Sequence, residues 1–255
     1  MAYRHKLQSS RFEFKYIVTE RQAQSIRTFL RGFLVRDRHF TEDHPRGYPV
    51  NSLYMDTPDL KLYNQTVHGL KNRFKLRIRF YDDRPDTPAF LEIKKRETMV
   101  VKKEHAAITK QAAARIWRGE LADSSCLLRG SDDSKGAVAM HNFTRLCHQI
   151  GARPAIYVCY KREAYVSANS DQVRVTFDRD LHGGAYARQQ ELALPKRPVR
   201  AKQITNVILE LKFTDRFPTW MNQLVTHFDL ERISVPKYVE CIDAMHLKPS
   251  AFMGA

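Results

Sequence analysis

Cysteine is scarce in this chain and nowhere paired. Cys126, Cys147, Cys159 and Cys241 lie far apart with no CxxC spacing, which disfavours a zinc knuckle and gives no ground for a disulfide framework. No apolar run is long enough for a membrane helix, and the N-terminal MAYRHKLQSS is basic without the apolar stretch of a signal peptide. A reducing cytoplasmic compartment and no membrane insertion are therefore expected. The patterns GxxxxGK[ST], GxGxxG and GxSxG are also missing, which disfavours a P-loop, a Rossmann crevice and a hydrolase elbow. With no internal repeat and no stretch resembling a linker, residues 1–255 are expected to form one domain large enough to bury a core.

Acidic residues are in deficit: 28 Asp and Glu stand against 43 Lys and Arg, a formal net charge of +15. Such an excess favours phosphate-rich partners and leaves nucleic acid, an anionic membrane and free phosphate chains open. The cations are patterned. In Arg73 to Tyr81 the odd positions are Arg73, Lys75, Arg77, Arg79 and Tyr81, whereas the even ones are Phe74, Leu76, Ile78 and Phe80. That period of two marks a strand. Arg11 to Val18 repeats it, and further strands are expected at Asn51 to Asp56, Phe90 to Arg96, Val100 to Ala107, Ile156 to Val166, Gln172 to Asp178 and Val207 to Phe213. Helices are expected at Thr19 to Leu34, where Thr19 and Gln22 have capping-box spacing, and at Ile108 to Leu121, Ala137 to Ile150 and Pro218 to Leu230. The fold class is α+β, with about eight mostly antiparallel strands and helices covering their apolar face.

The charged face carries Glu13 and Lys15; Arg77 and Arg79; Glu92 and Lys94; Lys103 and His105; Arg162; Arg174; Glu210 and Lys212. If the sheet closes, these line a basic lumen whose natural counter-charge is a bound anion. If it stays open, they are a solvated face guarding edge strands. Glu13, Glu92 and Glu210 suit either ion pairing or a divalent metal carried on a phosphate chain. His141 and His148 lack metal-ligand spacing and read as structural or surface residues, and Trp220 with its Phe/Leu stripe reads as core. Phe12, Phe14, Phe74 and Phe80 fall opposite the basic face, which makes RNA the weakest ligand class.

The segments RFEFKYIV, YPVNSLYMDTPDLKLY, RFKLRIRFY, FLEIKKR, VVKKEHAAI, YKREAY, VRVTFDRDL, VILELKF and SVPKYVECI, in this order, resemble the catalytic polyphosphate polymerase domain of the vacuolar transporter chaperone (VTC) complex and its bacterial relatives, within the triphosphate tunnel metalloenzymes. The resemblance implies an antiparallel β-barrel tunnel with a basic lumen, and a phosphotransferase adding the γ-phosphate of ATP to polyphosphate with Mn²⁺ or Mg²⁺. It also implies pyrophosphate or polyphosphate as acceptor and no specific nucleic acid. By position it implies a phosphate-gripping and catalytic set of Lys15, Arg77, Arg79, Lys94, Lys103, Arg162, Arg174 and Lys237, joined in substrate binding by Lys212. Glu210 is the implied metal carboxylate, with Glu13 and Glu92 beside it, and a chain would leave near Lys103 and Lys237. A metal-dependent triphosphatase or polyphosphatase and a non-catalytic polyphosphate binder stay open.

There are departures from the family pattern. The first strand has Arg11, Glu13 and Lys15 where the related triphosphatases have ExExK, which favours the polymerase-like branch. His105 stands where Arg is frequent, and Pro236 where Ser is common. The SPX domain and membrane helices of the eukaryotic subunits are not in this sequence, so regulation and export are expected to differ or to rest on partners, a membrane protein among them.

Overall fold

The computed structural model describes residues 11–39, 47–97, 100–120, 122–128, 133–168, 170–186, 192–201 and 204–247. Period-two alternation becomes strand wherever it is sustained. In chain order the elements are β1 (Arg11–Val18), α1 (Glu20–Leu30), β2 (Val35–Arg36), β3 (Tyr48–Asp56), α2 (Lys61–Val67), β4 (Asn72–Phe80), β5 (Ala89–Glu97) and β6 (Val100–Ile108). They continue with α3 (Lys110–Trp117), α4 (Asp133–Ile150), β7 (Arg153–Ser167), β8 (Ser170–Ala185), β9 (Val199–Arg200), β10 (Val207–Thr214), α5 (Thr219–His227) and α6 (Lys237–Ala244).

Among the described residues one ten-stranded sheet runs β1-β10-β8-β7-β3-β4-β5-β6, with β2 added to β7 and β9 to β8, and its pairings are antiparallel. Its two edges meet. β1 and β6 come within 8 Å of each other, Cα to Cα, and Lys94 Nζ of β5 donates to Glu13 of β1 at 3.1 Å. No backbone ladder joins β1 to β6 among the described residues. The expected α+β architecture, an antiparallel sheet curled into a tunnel with flanking helices, is present, with a side-chain seam where a closed barrel would have a ladder.

Apolar faces of the strands point outward into two helix-covered cores. α1 and α5 bury Ala23, Ile26, Leu30, Met221 and Leu224 against β1, β8 and β10, while α3 and α4 bury Ala113, Ile116, Met140 and Phe143 against β3 to β6. The capping box of α1 forms as expected: Gln22 N donates to Thr19 Oγ1 at 3.2 Å, and Thr19 N donates to Gln22 Oε1 at 2.9 Å. Trp220 stacks on Phe33 with centroids 5.0 Å apart, at the margin of the core, and His141 and His148 are exposed on α4.

A third cluster fills the concave side of the sheet. Tyr238, Cys241 and Ile242 of α6 pack on Tyr54, Ile156, Val158 and Tyr160, so α6 covers the apolar part of the concave face and brings Lys237 to its charged part. This helix and α2 carry little signal in the sequence, because neither is capped by its own N-terminal side chain. For α2 Asp56 does that work at a distance, accepting from Leu62 N at 2.8 Å and Tyr63 N at 2.9 Å, and it ties down α6 by accepting from the Tyr238 hydroxyl at 2.8 Å. It is 2% exposed. Asp56→Ala is therefore expected to strand four donors, Thr57 N, Leu62 N, Tyr63 N and the Tyr238 hydroxyl, and lower the unfolding free energy by about 3 kcal/mol, read as a shifted urea midpoint.

Candidate functional site

Cross-strand register decides which charges meet. Lys15 lies opposite Glu210 and Glu13 opposite Lys212, while Lys212 and Glu210 lie opposite Arg174 and Thr176. Arg162 faces Asp178. On the other wall Arg77 lies opposite Glu92, Lys75 opposite Lys94, and Lys94 opposite Lys103. Directly opposed residues share a face, so these side chains all look into the tunnel.

Two carboxylates organise the first group. Glu210, 3% exposed, accepts from Lys237 at 2.6 Å, Lys212 at 2.7 Å, Arg162 at 3.1 Å and Thr176 at 3.2 Å. Asp178, 1% exposed, is gripped in bidentate fashion by Arg162 Nε at 2.7 Å and Nη2 at 2.6 Å, and pairs with Lys237 at 2.7 Å. Burial works to raise both carboxyl pKa values, but for Glu210 the charges of Lys212, Lys237, Arg162 and Lys15 outweigh it and hold the group well below the usual range. Asp178 is likewise held low, burial being outweighed by Arg162 and Lys237. Arg174 stands apart, ion-paired to Asp37 and donating to the Tyr48 hydroxyl at 3.1 Å.

Glu92 organises the second group. It is 4% exposed and accepts from Arg77 Nε at 2.7 Å, with Lys103 at 2.7 Å and Arg79 at 3.4 Å. Burial would raise its pKa; Arg77, Arg79 and Lys103 hold it well below the usual value. Arg77 also donates Nη1 to the Tyr54 hydroxyl at 3.2 Å, and Arg79 Nε is buried with no acceptor among the described residues. Between the groups, Glu13 pairs with Lys94 at 3.1 Å and Lys15 at 3.4 Å.

A family model described as the VTC domain matches residues 10–246. The chain belongs to the VTC domain family. Membership places it among the polyphosphate-related tunnel enzymes. Among solved structures, a candidate adenylate cyclase from Bacillus halodurans is similar at a TM-score of 0.47 and 13% identity, over 88% of this chain and 91% of that one. No curated protein matches the chain.

The residues singled out in the sequence of this VTC domain gather on one concave face but divide between the two groups. Glu13 and Glu210 are electrostatic neighbours, whereas Glu92 is held by a separate set of cations. Lys237 sits at the start of α6 behind Pro236, with a side chain 10% exposed and locked between Asp178 and Glu210; it is an interior residue, unlike Lys103, whose side chain is 47% exposed. His105 lies opposite Glu92 and is exposed. Sequence reasoning missed Asp178, which alternates with Arg174 and Thr176 and so was legible by period, and the tyrosines Tyr48 and Tyr54, which only register brings to the cations.

No three His, Cys, Asp or Glu side chains converge on a metal position among the described residues. Glu210 is saturated by cationic donors, while among the described residues Glu13 pairs with Lys94 and Lys15 and its side chain is 22% exposed. Glu13 fits a hard divalent ion that arrives on phosphate oxygens and keeps water, and Glu210 could join it only by exchanging a cationic donor for the ion, since such an ion needs only one or two protein carboxylates.

Lys75 is the odd member of the lining, with no hydrogen-bonding or ion-pair partner among the described residues. Burial, then the charges of Lys15, Lys94, Arg73 and Arg77, pull its pKa down to about 7. Because the folded value lies below the unfolded one, the unfolded chain holds the extra proton above about pH 7, so this group's contribution to stability rises with pH. The urea midpoint of wild type, measured against that of Lys75→Met, is expected to rise between about pH 6 and about pH 9.

Proposed function

We propose that this VTC domain is a polyphosphate polymerase, transferring the γ-phosphate of ATP to the end of an inorganic polyphosphate chain within the tunnel. The observation that carries the reading is the imbalance of charge on the concave face. There Glu13, Glu92, Asp178 and Glu210, with Asp37 beside Arg174, stand against Lys15, Lys75, Arg77, Arg79, Lys94, Lys103, Arg162, Arg174, Lys212 and Lys237. Confining such an excess costs free energy that a polyanion returns. Family membership supports the same substrate class.

Phosphoryl transfer asks for positioning and charge neutralisation more than for covalent chemistry. Arg77, Arg79 and Lys103 form one cradle for phosphate oxygens, and Lys15, Arg162, Lys212 and Lys237 form another. Arg supplies a planar fork for two oxygens, Lys a compact charge. A divalent ion bound with the phosphates would be held by Glu13 and Glu210 and would add charge neutralisation on the phosphate oxygens.

The state of the carboxylates supports the choice of acceptor. Glu92, Asp178 and Glu210 are each paired to at least two cations with their pKa values held down, and Glu13 is lowered too, which makes all four weak bases. A water nucleophile gains from a base that takes its proton, whereas the terminal phosphate of a primer is already ionised near neutral pH. This favours chain growth over hydrolysis and puts the triphosphatase or polyphosphatase reading second.

The test incubates the purified protein with ATP and Mn²⁺ or Mg²⁺, with and without pyrophosphate, and resolves products on a polyphosphate-stained gel beside a free-phosphate assay. A ladder of chains is expected. Phosphate released without chains would give the hydrolase; neither product, with tight polyphosphate binding, would give a binding module.

A further inference from the structure

Cations inside a folded protein are ordinarily matched by an acid, and every other lysine on this stretch of wall obeys that rule. Lys94 has Glu13 at 3.1 Å and Lys103 has Glu92 at 2.7 Å. Lys75 has neither acid nor hydrogen-bond acceptor among the described residues. Its register partner across the β4–β5 ladder is Lys94, whose own partner on β6 is Lys103, so three ammonium side chains stand in one row of the sheet. Along its own strand the neighbours on the same face are Arg73 and Arg77. Like charges directly opposed destabilise a sheet, and among the described residues no acid or hydrogen-bond acceptor of Lys75 offsets that cost.

The position explains the cost. Lys75 lies between Arg77, which belongs to the Glu92 group, and Lys94, which leads through Glu13 to Lys15 and the Glu210 group. We infer that Lys75 is a further phosphate-contacting residue of the tunnel, holding the stretch of an inorganic polyphosphate chain that passes from one acid-centred group to the other. The inference rests on the polyphosphate reading above and adds a length requirement. A ligand short enough to sit within one group does not reach Lys75; a chain spanning both must pass it.

The experiment compares wild type, Lys75→Met and Lys75→Arg by titration calorimetry with pyrophosphate and with a long-chain inorganic polyphosphate, and records each ligand-free thermal midpoint. Loss of one charge-assisted contact is expected to weaken long-chain binding about tenfold or more in Lys75→Met, with pyrophosphate changed less than about threefold and Lys75→Arg close to wild type. The ligand-free midpoint of Lys75→Met is expected to match or exceed that of wild type, because a cation among cations has been removed. Equal losses for both ligands, no loss for the long chain, or a lowered ligand-free midpoint would each overturn the assignment of Lys75 while leaving the polymerase reading intact. Wild-type protein that binds neither ligand would overturn both.

Discussion

Arg77→Ala is expected to slow chain formation about 100-fold or more, the scale of losing one preorganised donor to transition-state charge. The side chain is fixed before any substrate arrives. Its Nε donates to Glu92 at 2.7 Å and its Nη1 to the Tyr54 hydroxyl at 3.2 Å, so two directions of the fork are set by protein and the guanidinium need not reorganise. Glu92 is not orphaned by the change, since Lys103 at 2.7 Å and Arg79 at 3.4 Å still neutralise it. The fold should therefore survive, and a lost rate can be read as lost catalysis. Arg77→Lys is expected to recover little, because one ammonium cannot satisfy Glu92, Tyr54 and a phosphate together. Gel-resolved chain formation is the measurement, with the urea midpoint as control. Unchanged turnover in Arg77→Ala would remove the clamp role from this residue.

How much of this was legible depends on whether the signal was local. β1 could be read to the residue because Phe12, Phe14, Tyr16 and Val18 alternate with Glu13 and Lys15 over its whole length. β7 and β8 run past their expected ends, since beyond Asp178 the alternation is broken by Asp180 at φ 52° and by Gly183 and Gly184, yet the ladder continues as far as Ala185 opposite Ile156. Gly183 also clears the way for α6: a Cβ there would come within 2.7 Å of Met245 Sδ. α2 escaped notice because Leu60 at its start is left-handed and the capping carboxylate comes from Asp56 on β3.

The site divided along the same line. That the charged side chains share a face followed from period two, but which acid meets which cation is set by register between strands remote in sequence. Glu92 looked like a companion of Glu13 and Glu210, and pairing opposite Arg77 gave it another circle of partners. Arg162 and Lys237, 75 positions apart in the chain, meet on Asp178 only because α6 folds back into the tunnel.

Glu210→Ala is expected to abolish chain formation and to lower ligand-free stability by about 3–5 kcal/mol, the cost of breaking a buried charge cluster by removing one side. Lys212, at 2.7 Å, loses the only carboxylate within ion-pair distance among the described residues, while Arg162 and Lys237 keep Asp178. The two effects have one origin and can be separated. If the carboxylate serves as a resident counter-charge, saturating inorganic polyphosphate should replace it and close part of the gap in thermal midpoint between variant and wild type, by mass action on the folded state. Chain formation should stay lost even then, because the added anion restores charge balance without restoring an oxygen ligand for a metal on the phosphates. A variant that regained chain formation with polyphosphate would show the carboxylate to be needed for folding alone, and the catalytic part of its assignment would fall.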